Sequence, residues 1–385
     1  MHIAIDGRTI VRNRTGVGVY AERLVRSLLK IDQKNNYTLF LVEDDPSLTA
    51  PKLKKVLIPG YQKMGPNRLW ENVLLPRYLR KENVRVYFSP AYVLPLMGTS
   101  RIIGLRSTGT RLVVTLHDLV AYSHPETFTL KMRLWQKLYV NNAVRYADCV
   151  LADSAATKRD IHNLFNVADE RIRVVHLPVG DQFHPIQDHA VLESTRKLYG
   201  LPDKFILYVG TLEPRKNVGR LAEAYSLLPE SLRAGYSLLL AGGLGWYSEG
   251  IRRDIERLGL GDKIRLLGYI DQKTLPALYT LASVFAYLSL YEGFGAPPLE
   301  AMACGTPVLV SNASALPEAV GDAAVLVDPY DVKEIAVQLE GLLTDEVRRK
   351  TLSQAGFERA ALFGTREKAE EVLRIFEEIG ARKSP

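Results

Sequence analysis

Phe205-Ile206-Leu207-Tyr208-Val209-Gly210-Thr211-Leu212-Glu213-Pro214-Arg215-Lys216-Asn217 decides the architecture. Five apolar residues in a row read as a strand buried on both faces. A glycine turn follows, and Asn217 or its neighbours then cap a helix over Val218–Leu228. Strand, turn and helix in that order build a parallel sheet. The same rhythm fills the chain. In the first half, strands are expected at His2–Asp6, Tyr37–Val42, Val84–Phe88, Arg111–Leu116, Cys149–Ala152 and Ile172–His176. Helical patterns at Gly18–Leu29, Arg68–Arg80, Leu130–Tyr146 and Ser154–Leu164 lie between them. In the second half, strands are expected at Phe205–Val209, Ser237–Ala241, Ile264–Leu267, Val284–Tyr287, Pro307–Val310 and Ala324–Val327. Helices intervene at Tyr247–Leu258, Thr274–Leu281, Pro298–Ala303 and Val332–Leu343. Two such runs imply an α/β protein of two doubly wound, Rossmann-like domains, with ligands at the carboxyl ends of the strands.

The break falls in Leu177-Pro178-Val179-Gly180-Asp181-Gln182-Phe183-His184-Pro185, whose two prolines and glycine suit neither helix nor central strand. The domains are therefore expected at 1–182 and 183–364, with a charged amphipathic helix at Thr365–Ile379 and a frayed end at Ala381–Pro385.

The 385 residues, 47% apolar and 24% charged, fit a globular chain of two or three domains. Two distant cysteines, Cys149 and Cys304, make neither a disulfide scaffold nor a four-ligand zinc site. The chain opens directly on a strand pattern, and no apolar run reaches the roughly 18–20 residues of a membrane span. Reducing cytosol is the expected compartment. Residues 1–180 carry 27 Lys+Arg against 15 Asp+Glu, and the remainder 23 against 28. The basic half attracts anions. Its densest stretch holds Lys52, Lys54, Lys55, Lys63, Arg68, Arg77, Arg80, Lys81 and Arg85 against Glu71 and Glu82. Within it, Leu69, Trp70, Val73 and Leu74 fall at helical spacing. Either Leu69, Val73 and Leu74 pack on a sheet with the arginines in water, or the basic helix and Trp70 contact an anionic membrane surface, and the two readings can coexist. No nucleic-acid motif is present in the sequence.

Five segments carry chemistry at strand ends. Tyr291-Glu292-Gly293-Phe294-Gly295-Ala296-Pro297-Pro298-Leu299-Glu300 is a glycine-bearing loop leading into a helix. Its helix-start amides suit phosphate, and its two glutamates suit the vicinal hydroxyls of a sugar or ribose. Glu300 is expected in the first helical turn, where it could instead simply favour the helix start. After Gly210, the adjacent cations Arg215 and Lys216 suit a diphosphate, the alternative being a solvated basic turn. Thr15-Gly16-Val17-Gly18 offers backbone amides to a phosphate, or serves as a tight turn. It is a poor dinucleotide fingerprint, because Gln33-Lys34-Asn35-Asn36 stands where an acidic residue is needed, which weighs against an NAD-dependent oxidoreductase. His117-Asp118 at the end of Arg111–Leu116 suits a sugar hydroxyl or acid–base work, or is structural. Gly242-Gly243-Leu244-Gly245-Trp246 shapes a further strand-end turn, and Ser311, Ala315 and Glu318 are candidate pocket lining. No metal-ligand spacing occurs.

Together these segments resemble glycosyltransferase family 4, retaining enzymes of the GT-B fold, from Ile3 to about Asp328. Ala296 stands where a leucine or another small residue is usual, which costs nothing if the position binds through its backbone amide. The resemblance implies two Rossmann-like domains facing across a cleft, with the last helix, 365–380, crossing back to the first. It implies a nucleoside diphosphate-sugar donor, GDP-mannose or a UDP-sugar, and a saccharide or lipid-linked acceptor, with no metal and no redox cofactor. Carried over, Glu300 would bind ribose and Glu292 the sugar. Amides near Phe294, Gly295 and Ala296 would contact sugar and phosphate, and Arg215 and Lys216 the diphosphate. Gly16, beside Gly18, would meet the phosphates or sugar, and His117, next to Asp118, the sugar near C6. Gly210 and Gly243 would shape the nucleotide pocket. The stretch His117-Asp118-Leu119 to Ser123-His124-Pro125-Glu126 looks most like bacterial polysaccharide mannosyltransferases. The expected location is the cytoplasm, either free or peripherally on the inner face of the membrane. A phosphorylase or sugar-phosphate synthase of the same fold is the near alternative.

Overall fold

The computed structural model describes residues 1–11, 16–58, 69–96, 109–245 and 248–382. Thr15, Lys63, Arg68, Trp246, Tyr247 and the last three residues, singled out above, lie outside them. The described strands form two wholly parallel sheets. The first contains β1 (His2–Asp6), β2 (Asn36–Leu41), β3 (Leu53–Leu57), β4 (Val86–Ser89), β5 (Arg111–Leu116), β6 (Cys149–Ala152) and β7 (Ile172–Val174), in the order β3-β2-β1-β4-β5-β6-β7. The second contains β8 (Phe205–Val209), β9 (Ser237–Ala241), β10 (Ile264–Gly268), β11 (Val284–Tyr287), β12 (Val308–Ser311) and β13 (Val325–Val327), in the order β10-β9-β8-β11-β12-β13. The order reverses between β1 and β4 and between β8 and β11. Those reversals are the switch points where an open α/β sheet accepts ligands.

The chain divides into two units. One comprises Met1–Ala121, Leu130–Pro178 and Thr365–Pro385, the other Tyr122–Thr129 and Val179–Gly364. Compared with a cut at 182/183, the break comes at Pro178, the head of the proline-glycine stretch. The eight residues from Tyr122 join the second unit, where the His124 ring lies 5.8 Å from that of Tyr291. The last helix, Thr365–Ala381, packs on helix Gly16–Ile31 within the first unit. Its Ala369, Val372, Phe376 and Ile379 enter one core with Ile3, Leu24, Leu28 and Phe88, and the Phe376 and Phe88 rings stand 5.1 Å apart.

Of the elements that differ from expectation, three have a clear physical reason. β3 was hidden in the basic stretch. It is an edge strand whose Lys54 and Lys55 reach Glu82 at 3.3 Å and Asp44 at 2.7 Å, and lysines on an edge discourage pairing with other chains. The next helix begins as a π-turn, Trp70–Leu74, in which the Leu75 amide donates to the Trp70 carbonyl, and continues as Leu75–Lys81. Pro76, which has no amide proton, sits at the junction. The packing expected for this helix is reversed: Trp70 is buried against Phe40 with rings 5.2 Å apart, whereas Leu69 and Leu74 are 53% and 43% exposed. Thirdly, the chain forms a helix at Glu346–Ala361 that the sequence pattern does not predict. Asp345 caps it by accepting the Arg348 amide, and its Ser353 hydroxyl donates to the Gly305 carbonyl at 2.7 Å, bracing the helix Ala296–Ala303.

Candidate active site

In the second unit, β8 and β11 are neighbours, paired Val284 to Ile206 and Phe285 to Leu207. Their carboxyl ends therefore emerge side by side. From β8 the chain turns through the single 3-10 turn Pro214–Lys216 into helix Val218–Ser226. From β11 it passes through Tyr291 and Glu292 to helix Ala296–Ala303. The two loops are stitched where the Leu290 amide donates to the Arg215 carbonyl at 2.9 Å.

This stitch brings together three of the expected residues. Glu292 accepts from Arg215 on Oε2 at 2.9 Å and from Lys216 on Oε1 at 2.6 Å. Arg215 also donates to Glu213 at 2.6 Å and to the Tyr291 carbonyl at 2.8 Å. The three side chains are only 10–12% exposed. Burial would raise the Glu292 carboxyl, but Arg215 and Lys216 outweigh it and hold the pKa down at about 2. Burial, joined by the neighbouring Arg215, lowers Lys216 below the ordinary lysine range despite Glu292. Arg215, Lys216, Glu213 and Glu292 form a cluster in which two cations face two carboxylates, out of water, at a sheet's switch point. Asn217 takes a left-handed turn with φ 59° and does not cap with its side chain, which instead donates to the Pro329 carbonyl at 2.8 Å.

Glu300 is separately held. Because helix Ala296–Ala303 begins earlier than expected, Glu300 lies one turn in and not in the first turn, which removes the simple helix-start explanation for it. It accepts from the buried Tyr279 hydroxyl at 3.3 Å. Phe294 is buried, with its ring 5.3 Å from Phe363, so only its backbone is available to a ligand. Gly295 takes φ 125°, and a Cβ there would stand 2.8 Å from Leu316. This conformation is open to glycine and turns the chain into the helix, where Ala296 is the first residue. Gly210 and Gly243 lie in adjoining turns after β8 and β9, tied by the Leu212 amide donating to the Gly243 carbonyl at 2.9 Å.

In the first unit, Gly16 is the first described residue of helix Gly16–Ile31, which also holds Val17 and Gly18. A Cβ at Gly16 would meet nothing within 4 Å. His117, at the end of β5, is held on both nitrogens. Nδ1 stands 2.6 Å from Asp153 Oδ2, and Nε2 donates to the Pro90 carbonyl at 2.7 Å. A carbonyl only accepts, so Nε2 carries a proton. Burial alone would lower this imidazole, but the charge of Asp153 and its hydrogen bond raise it above the usual histidine range. With both nitrogens committed, the sugar contact expected of His117 would need the ring edge or the displacement of Pro90 or Asp153. Asp118 accepts the Val120 amide at 3.3 Å and so starts a short helix. Sequence reasoning missed Asp153, the first residue after β6 and 36 positions from its partner. It also missed Tyr287, at the end of β11, which bonds both Lys216 and Glu292. A strand-end position was the available signal for each. Buried ion pairing also joins Arg8 to Asp6 and Glu71, each at 2.6 Å, beside the β1 switch point. Among the described residues no three His, Cys, Asp or Glu side chains are grouped as a metal site.

Comparison with known proteins gives consistent findings. Residues 14–183 match the family described as Glycosyltransferase Family 4, and residues 194–359 the family described as Glycosyl transferases group 1. The O-antigen chain mannosyltransferase B of Escherichia coli is 31% identical over 369 residues, covering 91% of this chain and 92% of that protein. The serotype-specific mannosyltransferase WbdA of Escherichia coli is 35% identical over 256 residues, 65% of this chain but 31% of that longer protein. Anabaena HepE, solved in complex with UDP-glucose, has the same fold, with TM-score 0.76 at 18% identity over 98% of this chain and 100% of that one.

Proposed function

We propose that this chain, which belongs to glycosyltransferase family 4 and is a glycosyltransferase of the GT-B type, transfers mannose from a nucleoside diphosphate-sugar, GDP- or UDP-linked, to a saccharide or lipid-linked saccharide. The observation that carries this reading is the buried Arg215–Lys216–Glu292 cluster at the β8/β11 switch point. When the bond between the anomeric carbon and the diphosphate oxygen breaks, its electron pair leaves with the nucleoside diphosphate. Arg215 and Lys216 are already in place to receive that charge, so little reorganisation is needed as it develops. Glu292 takes the hydroxyls of the sugar, and Glu300, backed by Tyr279, those of the ribose. The acceptor hydroxyl attacks from the face that the diphosphate leaves. Its proton passes to a phosphate oxygen, and configuration is retained. A phosphorylase, a sugar-phosphate synthase and an NAD-dependent enzyme are not favoured by the mannosyltransferase names of the relatives. Thermal unfolding with GDP, UDP, ADP and NAD tests the reading. A nucleoside diphosphate is expected to stabilise by about 2.7 kcal/mol at a hundred times its Kd, and stabilisation by NAD alone overturns it.

A second observation supports contact with an anionic membrane. Helix Leu130–Tyr146 contains no acidic residue and exposes Leu130, Leu134 and Leu138, at 68%, 58% and 49%, at four-residue spacing. Lys131 and Arg145 are exposed on the same side. No described helix is long and apolar enough to cross a membrane.

A further inference from the structure

We propose that Tyr287 is a positioning residue of the diphosphate site: its hydroxyl holds the Lys216 ammonium and the Glu292 carboxylate in one triangle, so that an arriving diphosphate engages Lys216 without leaving either buried charge short of a partner. This rests on the reading that Arg215 and Lys216 receive a nucleoside diphosphate.

The triangle is tight. The Tyr287 hydroxyl accepts from Lys216 Nζ at 2.6 Å and donates to Glu292 Oε1 at 2.9 Å, and Nζ donates to the same Oε1 at 2.6 Å. The oxygen is placed by its ring, which is 1% exposed and stacked on Tyr208 and on Phe285, each at 5.9 Å. A phenol has few torsions and its ring is clamped, so the hydroxyl stays put. An ammonium has three donors, and Tyr287 and Glu292 account for two. A phosphate oxygen takes the third, or takes the one given to Glu292 as the carboxylate turns to the sugar. In either case the phenol oxygen still accepts from Lys216, and its proton still serves Glu292. That matters because a buried charge that loses a partner is expensive. Burial and the nearby Glu292 keep the Tyr287 hydroxyl well above the ordinary tyrosine pKa, so it remains a donor throughout the working range. A phenylalanine would preserve the stack and remove only the oxygen.

The test is calorimetric binding of GDP and UDP to wild type and Tyr287→Phe between pH 5 and 9.5, with thermal unfolding alongside. Tyr208→Phe is the control, since among the described residues that hydroxyl reaches the Thr211 carbonyl at 3.2 Å and neither Lys216 nor Glu292. Without its phenol acceptor, Lys216 loses its proton more readily. In Tyr287→Phe the alkaline fall in affinity is therefore expected at least half a pH unit lower than in wild type, with about tenfold weaker binding at pH 8. Tyr208→Phe is expected to keep the wild-type pH dependence. Equal pH dependence in Tyr287→Phe and wild type, including a uniform loss of affinity, overturns the proposal and leaves Tyr287 a packing residue. The same shift in Tyr208→Phe also overturns it. If wild type binds no nucleoside diphosphate, the functional reading itself falls, and the assignment of a diphosphate to this triangle falls with it.

Discussion

Gly242 packs so closely on Gly210 that a Cβ on Gly242 would overlap the Gly210 carbonyl oxygen. The two turns leave neighbouring strands, β8 and β9, and the Gly210 amide donates back to the Ala241 carbonyl at 2.9 Å. Gly242 also takes φ 147°. A side chain there requires the two turns to move apart. Gly243, the next residue, faces open space within 4 Å. Gly242→Ala is therefore expected to cost about 3 kcal/mol or more in urea unfolding, and Gly243→Ala less than about 0.5 kcal/mol. Equal losses would show that backbone crowding at Gly242 is not the cause.

Stability and turnover separate at the charge cluster. Glu292→Ala leaves Arg215 and Lys216 buried without that carboxylate, and is expected to destabilise by about 3–5 kcal/mol. Lys216→Met leaves Glu292 paired with Arg215 and bonded to Tyr287, so its cost is expected below about 1 kcal/mol. Its turnover falls by about 10²–10³, the loss typical of removing one preorganised charge-stabilising group. Denaturant titration and steady-state rates on both variants check the contrast.

Acid should act through Glu292. Its carboxyl titrates near 2 in the folded chain against an ordinary 4.5, so its stabilisation is complete above the ordinary value and is lost as pH falls toward 2. At the linkage rate this amounts to about 3 kcal/mol. Wild type minus Glu292→Gln in unfolding free energy is expected to hold level from pH 6 to about pH 5 and then to shrink as pH falls to 3. A constant difference would assign the stabilisation to packing.

Glu300→Ala, which removes the carboxylate proposed for the ribose hydroxyls, is expected to weaken nucleoside diphosphate binding about tenfold, a loss of ~1.4 kcal/mol. Tyr279→Phe, which deletes only the hydroxyl behind Glu300, should cost less. Unchanged affinity in Glu300→Ala would remove that residue from the ribose.

Helix Leu130–Tyr146 offers the membrane test. Leu134→Glu combined with Leu138→Glu places two carboxylates on its exposed face. Sedimentation with anionic vesicles at low salt is expected to fall at least several-fold from wild type. Wild type that does not co-sediment ends the membrane reading.

What the sequence alone determined was whatever depends on a run of neighbours. Arg111–Leu116, Cys149–Ala152, Phe205–Val209, Ser237–Ala241 and Val284–Tyr287 stand where their apolar runs place them, because a strand covered on both faces must be apolar along its length. Arg215, Lys216 and Glu292 could likewise be picked out as strand-end residues next to glycine turns or helix starts. What only tertiary structure decided was the partner of each buried polar group. Tyr287 reads as one more apolar strand residue until Lys216, 71 positions away, closes on its hydroxyl. Asp153 gains meaning from His117, and Glu71 from Arg8 across 63 residues. The same limit hid β3, whose lysines suit an edge and disguise a strand, and reversed the roles of Trp70 and Leu74. Periodicity tells which residues share a face of one element. The partner that covers that face, and the acceptor that pays for a buried donor, come from distant chain and exist only once the sheets are assembled.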